Sequence, residues 1–310
     1  MTGDLDTTFN CLLEMTAPEW SHKDYTVGWI CALSIENAVS KAMLDRLHPA
    51  LPQPKNNQNV YTLGELHGNN VVIACLPSGV YGTWSASIIA TQMLNMFPAI
   101  RFSLLVGIGG GVPSNGLDIR LGDVMVKKPT NIYGGVVQYD YGKAIAFSRS
   151  SDCPLIHYGV IASESQVMRD GLVRDQISRE LGDAVMCFGM EAAGLIDDPP
   201  CLVIRGICDY ADSHKNKRWQ PCAAAMASAY AKELLTVIPV IELSQAPEAL
   251  EYVRDQQPVD APDEEGMDKA VISDCVQTKV RLMDPVHRQT ILTLAGIPNN
   301  CLQLLCPEWS

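Results

Sequence analysis

No stretch of this 310-residue sequence reaches the roughly 18 consecutive apolar residues that a membrane-spanning helix needs. The N-terminus, MTGDLDTTFNCLLEM, lacks the basic start and long apolar core of a secretory signal. Together these absences point to a soluble, cytoplasmic protein. CxxC pairs and HExxH are missing too, so zinc has no ligand framework. No GxSxG offers a nucleophile elbow for Ser/His/Asp hydrolysis, and no lysine follows a glycine-rich loop as a P-loop requires. Basic charge is short: 23 Lys and Arg face 35 Asp and Glu, a net charge of −12, with no basic stripe. Nucleic-acid backbones are held by clustered Lys and Arg, so nucleic acid is not an expected partner. The residues imply no metal and no cofactor.

What the chain does have is apolar residues, 47% of the total, enough for a sizeable core. Its 11 cysteines are odd in number and mostly embedded in apolar runs such as VVIACLP, which reads as free buried thiols in a reducing compartment. Residues 1–24 show no sustained periodicity and read as a flexible leader. From Tyr25 the pattern is regular. YTVGWICAL reads as a buried strand, and Ser34 as the cap of the helix IENAVSKAMLDRL. HGNN between two strand-like runs signals a hairpin. A helix is expected over Gly82–Phe97, a strand at RFSLLVGI, and further strands at LGDVMV and HYGVIAS. A helix over Gly189–Ile196, a strand at CLVIRGI and a long helix over Pro221–Leu235 complete the pattern. Strands alternating with helices indicate an α/β domain, placed at 25–240. From Ile241 to Ser310 there are 12 acidic and 5 basic residues, and this stretch reads as an acidic linker and C-terminal tail. Within it, HRQTILTLAGIPNNCLQLLC could form a short amphipathic helix.

Three carboxylates stand out because they border buried segments. Glu191 lies at the expected start of a helix, and Asp209 lies just past the apolar strand CLVIRGI, with Arg205 four residues earlier as a charged neighbour. Two carboxylates in one cleft suit acid-assisted cleavage of a glycosidic bond. Glu36, one turn into the first helix, reads either as a solvated helix start favoured by the macrodipole or as a carboxylate orienting a water. Gly107–Pro113, GIGGGVP, fails the dinucleotide fingerprint at Val112 and Pro113, and reads as a glycine turn where Gly109 and Gly110 let backbone approach a ligand. His214, Lys215, Lys217 and Arg218 read as a solvated loop.

TVGWICALSIE, LPSGVYGT, LLVGIGGGVP, LGDVMV, HYGVIAS, MEAAG and IRGICDYAD, in this order and spacing, resemble the nucleoside phosphorylase/nucleosidase family over roughly Tyr25 to Val240. The likeness is strongest to its methylthioadenosine/S-adenosylhomocysteine nucleosidase branch and to fungal domains of that type. The resemblance implies a three-layer α/β/α sandwich around a mixed, partly barrel-like sheet, and a homo-oligomer acting on a purine nucleoside. It implies that Asp209 is the acid that protonates purine N7 and that Arg205 helps to hold it. Met190 and Glu191 match the ribose-contacting pair, and Glu36 matches the carboxylate that positions the attacking water. Val167 falls near the position that stacks the base in smaller nucleosidases, with Phe188 as an alternative. Related phosphorylases hold phosphate with an arginine and a serine around the glycine stretch. Here Leu104 or Leu105 and Ile108 stand at those places, which favours hydrolysis. The chain departs from the family pattern at Gly189, where FEMEAAG has its first glutamate, and at Glu164, where IASGNQV has glycine. It is also short over 144–156, where homologues carry an insertion.

Overall fold

Strand β1 (Val27–Cys31) is buried along its whole length, and its side chains alternate between two cores. Val27, Trp29 and Cys31 join one apolar cluster and Ile30 the other, as the two-residue period of a strand requires. Such a strand has to be covered on both faces. The computed structural model describes residues 20–250 apart from 56, 58, 80–81, 114–117, 129–135, 139–153, 196–200 and 239. It supplies the covers as follows.

Helix α1 (Ser34–Met43) follows β1, and β2 (Arg46–Leu47), β3 (Tyr61–Leu66) and β4 (Asn69–Cys75) come next. The expected HGNN hairpin joins β3 to β4, turning at His67 and Gly68 with φ of 49° and 79°. Helix α2 (Thr83–Met96) places Ala86, Ile89, Ala90, Met93 and Leu94 in the core that contains Ile30. Next come β5 (Phe102–Gly111), β6 (Val124–Lys127), β7 (Val136–Gln138) and β8 (Ile156–Ser163). Helix α3 (Gly171–Glu180), β9 (Val185–Gly189), a 3-10 turn at Ala192–Leu195 and β10 (Cys201–Asp209) follow. Helix α4 (Gln220–Val237) then covers the opposite face, packing Cys222, Met226, Tyr230 and Leu234 against Trp29 and its neighbours. A short helix α5 (Val240–Gln245) follows.

The sheet runs β10-β6-β8-β9-β5-β1-β4-β3-β2, and β10 also pairs with β5. That extra pairing closes β5, β9, β8, β6 and β10 into a five-stranded ring, from which β1, β4, β3 and β2 extend as an open wing. The architecture is the mixed, partly barrel-like sheet between helical layers that the sequence resemblance implied. Among the described residues no helix is long and apolar enough to cross a membrane.

Several local expectations are corrected. The glycines of GIGGGVP do not turn: β5 stays extended to Gly111, pairing with β9 through Gly110–Phe188 and Gly111–Cys187. Close approach is the reason. A Cβ on Gly109 would lie 2.5 Å from Cys187 Sγ, and one on Gly110 would lie 2.7 Å from Ala211 Cβ. The helix expected over Gly189–Ile196 is instead the end of β9 followed by a 3-10 turn, and α3 and β9 had no counterpart in the pattern reading. Ser34 is the first residue of α1 rather than its cap, which is Leu33, and the Glu36 carboxylate reaches back to accept from the N–H groups of Leu33 and Ala32. Cys31, Cys75, Cys187, Cys201 and Cys208 are free, as expected, but Cys222 is disulfide-bonded. Packing also continues past 240: Leu243 and Ala249 are buried, and Ala249 N–H donates to Ile100 O at 2.7 Å. The region 144–156 and the stretch HRQTILTLAGIPNNCLQLLC fall largely or wholly outside the described residues.

Candidate active site

The C-terminal ends of β5 and β10, the end of β9 and the start of α1 converge on a cavity of about 630 Å³. Glu36, Gly109, Gly110, Val167, Phe188, Met190 and Glu191 all line it. Segments up to 155 residues apart in sequence thus meet in one cavity wall. Arg205 and Asp209 are not among the lining residues, although both are buried directly behind it.

Glu36 is no solvated helix residue, for it is 2% exposed. One carboxylate oxygen accepts from Ala32 N–H at 2.8 Å and Leu33 N–H at 2.9 Å, and the other from Ile108 N–H at 2.9 Å. These bonds fix the carboxylate across the sheet end, and Gly107 makes room for it: a Cβ there would stand 2.5 Å from Glu36 Oε1. Burial is the main cause that pushes Glu36 up to about 7, and Glu191 adds to it while Arg205 and the backbone donors oppose it. A carboxyl balanced near neutrality is suited to accept and return a proton.

Arg205 sits in the middle of this cluster. Its Nη2 donates to Glu191 Oε2 at 2.8 Å, with both side chains buried. A buried charge needs a partner, and here a guanidinium lies between two carboxylates. The resemblance implied that Arg205 helps to hold Asp209; its hydrogen bond goes to Glu191. The ladder also shifts between Ile207 and Asp209, a bulge that takes Asp209 off the alternation followed by Arg205 and Ile207.

Asp209 has different partners. Ala211 N–H donates to Oδ1 at 2.9 Å and the Cys208 thiol to Oδ2 at 3.0 Å. Lys215 Nζ lies 3.3 Å from Oδ1 and 3.0 Å from Oδ2. Ala211 adopts the left-handed φ of 53°, which costs a non-glycine residue about 1–3 kcal/mol. That turn is braced by the wholly buried Arg174 of α3, whose Nη1 donates to Tyr210 O. Lys215, Cys208 and Arg174 are the site residues that sequence reasoning missed. Lys215 falls in a run that reads as a solvated loop, yet only 27% of its side chain is exposed. Asp212, 3% exposed and lining the cavity, accepts from His214 N–H at 2.9 Å.

The geometry can be set beside known proteins. No protein-family model matches the chain. A nucleotide-binding leucine-rich repeat (NLR)-like protein of Hyaloscypha variabilis is 38% identical over 301 residues, covering 71% of this chain and 30% of that protein. The chain therefore spans less than a third of the length of the curated relative it matches. Among solved structures, futalosine hydrolase of Helicobacter pylori aligns with a TM-score of 0.56 at 19% identity, covering 70% of this chain and all of that one. The 5′-methylthioadenosine/S-adenosylhomocysteine nucleosidase of Neisseria meningitidis, solved with methylthio-immucillin-A, aligns at 0.54 and 18%, covering 69% of this chain and 99% of that one. The chain has the nucleoside phosphorylase fold.

Proposed function

We propose that a chain with this fold and this cavity is a purine nucleosidase that hydrolyses the N-glycosidic bond of an adenosine-like nucleoside. The observation that carries the reading is Glu36: a buried carboxyl on the cavity wall, held by three backbone N–H groups and raised to about 7. In this reaction a water oxygen forms a bond to C1′ while the C1′–N9 bond breaks. The bonding pair passes to the base, which takes a proton at N7 from Asp209, and the attacking water gives its proton to Glu36. Glu191, fixed by Arg205, binds the ribose hydroxyls, and Met190 packs on the sugar. Phe188 and Val167 flank the base, and Gly109 and Gly110 let it approach the backbone. The transition state resembles an oxocarbenium ion, so carboxylates below the sugar stabilise it more than the ground state.

Water is favoured over phosphate for a local reason. The N–H of Ile108, a donor on the glycine stretch, is already given to Glu36. An anion placed there would meet a carboxylate instead of donors. Purified protein incubated with adenosine, inosine and methylthioadenosine, with and without phosphate, tests the proposal. Free base in both conditions supports hydrolysis, strict phosphate dependence makes the chain a phosphorylase, and no release from any of them defeats the enzyme reading. One observation favours a second reading, a nucleoside-binding module with weakened turnover. Among the described residues, Arg205 Nε is buried with no partner, beside Gly189. Calorimetric binding without cleavage would select it.

A further inference from the structure

One guanidinium serves two carboxylates behind the cavity wall. Arg205 donates from Nη2 to Glu191 Oε2 at 2.8 Å, while Nη1 faces Glu36 across the bare backbone of Gly107. Nη1 and Glu36 Oε1 lie 2.6 and 2.5 Å from the point where a Cβ on Gly107 would stand, which puts them within about 5 Å of each other. Glu36, Glu191 and Arg205 are each at most 5% exposed, so their charges act on one another with little screening by solvent. The remaining side of the guanidinium is bare. Among the described residues Nε has no hydrogen-bond partner, and a Cβ on Gly189 would stand 3.5 Å from it, an ordinary contact. A side chain would therefore fit at 189, and an acidic one would draw the cation away from Glu36. Glycine places none there.

Resting on the nucleosidase reading, we propose that Arg205 is a positioning residue whose charge, shared by only two acids because position 189 is glycine, sets the pH at which Glu36 can take the proton of the attacking water. Two carboxylates on one cation leave one negative charge over. Glu191 holds the close ion pair, so the surplus falls on Glu36, whose own hydrogen bonds come from neutral N–H groups. Burial raises that carboxyl and Arg205 is the largest influence that opposes it. The other titratable groups around Glu36 do not compete for this role. Cys31 on β1 and Cys75 on β4 are both raised by burial and by Glu36 itself, so they stay neutral thiols. On β5 the contact is the Ile108 N–H. Beyond β10, Lys215 is paired with Asp209 and His214 with Asp212, while Arg169 and Lys217 line the wall as exposed side chains.

Two substitutions shift this balance in opposite directions while keeping the cation. Gly189→Asp puts a carboxylate beside Nε, on the order of 10 Å from Glu36, and at an effective dielectric of about 20 such a charge moves a titration midpoint by about one unit. Gly189→Asn is its neutral twin. Glu191→Gln removes one claim on the guanidinium and one like charge. The midpoint of Glu36 is read in the full chain without substrate, from the infrared carboxyl band that Glu36→Gln abolishes. It is expected at about 7 in the parent, about one unit higher in Gly189→Asp, unchanged in Gly189→Asn, and lower by about one unit in Glu191→Gln. With a nucleoside that is cleaved, the acid limb of kcat/KM reports the free enzyme and should move with each midpoint, even where Glu191→Gln weakens sugar binding. Thermal unfolding confirms that the variants are folded. Midpoints that coincide in all variants, or equal shifts in Gly189→Asp and Gly189→Asn, overturn the tuning by Arg205. Midpoints that move while the acid limb stays in place overturn it as well, because Glu36 then takes no proton in turnover. If no nucleoside is cleaved at all, the nucleosidase reading falls and takes the control of turnover with it, while the infrared midpoints still decide whether Arg205, Glu191 and position 189 govern Glu36.

Discussion

Glu36 shows how one residue can change meaning between sequence and fold. Its place after a buried strand was legible; its burial was not, because a helix start is solvated or covered according to what packs above it. The consequence is measurable in stability. Burial raises Glu36 from 4.5 to about 7, so between those values the folded chain keeps a proton that the unfolded chain has released. This contribution is complete below about pH 4.5 and is lost as pH rises towards 7, amounting to about 3 kcal/mol at 1.36 kcal/mol per unit. Glu36→Gln does not titrate, so its stability relative to the parent should improve by up to about that amount between pH 5 and pH 8. Urea unfolding at the two pH values measures it, and parallel behaviour of the two proteins would count against a buried, raised Glu36. Two glycines give a second contrast. A Cβ at Gly189 meets nothing nearer than Arg205 Nε at 3.5 Å, an ordinary contact, whereas at Gly110 it meets Ala211 Cβ at 2.7 Å and Asp209 Oδ1 at 2.8 Å. Gly189→Ala should therefore leave the melting temperature nearly unchanged. Gly110→Ala should lose about 1–3 kcal/mol, the range for overpacking, and displace the acid.

Among the elements, those with a strong period were legible and those set by contacts elsewhere were not. The strand at Val27–Cys31, the helix at Thr83–Met96 and the helix at Gln220–Val237 carry long apolar patterns and formed where expected. The strand Val185–Gly189 is short and ends in glycine, so MEAAG looked like its own helix until pairing with Gly110 and Gly111 drew VMCFG into the ring. The helix Gly171–Glu180 is mostly polar in sequence, yet it delivers Arg174 to the Tyr210 carbonyl behind the acid. That predicts a remote effect. Arg174→Met keeps most of the side-chain volume but leaves the left-handed turn at Ala211 unbraced, so kcat should fall about tenfold or more with KM nearly constant, as when a transition-state contact is misplaced. An equal rise in KM with kcat unchanged would mean that the helix shapes the cavity wall and leaves the acid alone.

At the scale of the molecule, the candidate site exists because the ring closes: β5 pairs with β1, β9 and β10 along its ten residues, and four of the proposed residues, Gly109, Gly110, Phe188 and Asp209, lie at those strand ends. Alternation of strands and helices announced an α/β domain, but closure depends on which strands pair, and periodicity carries no record of that. Where the folded unit ends was equally hidden. Composition turns acidic from about 241, yet Leu243 is buried among the core residues under the Gln220–Val237 helix, Ala249 is fully buried, and Arg101 pairs with Glu248 at 3.7 Å. A charged, proline-containing stretch still packs where a few apolar side chains recur. We therefore propose that the folded unit extends beyond 240, at least to Leu250. Ending the chain after Val240 strips Leu243 and Ala249 from the core and leaves the Ile100 carbonyl without its donor. At about 1.5–3 kcal/mol for a buried leucine and about 1 for the hydrogen bond, that truncation should lose roughly 2.5–4 kcal/mol against one ending after Leu250. Chemical unfolding of the two truncations side by side decides it: equal midpoints would return the boundary to 240 and make the packing of residues 241–250 energetically neutral.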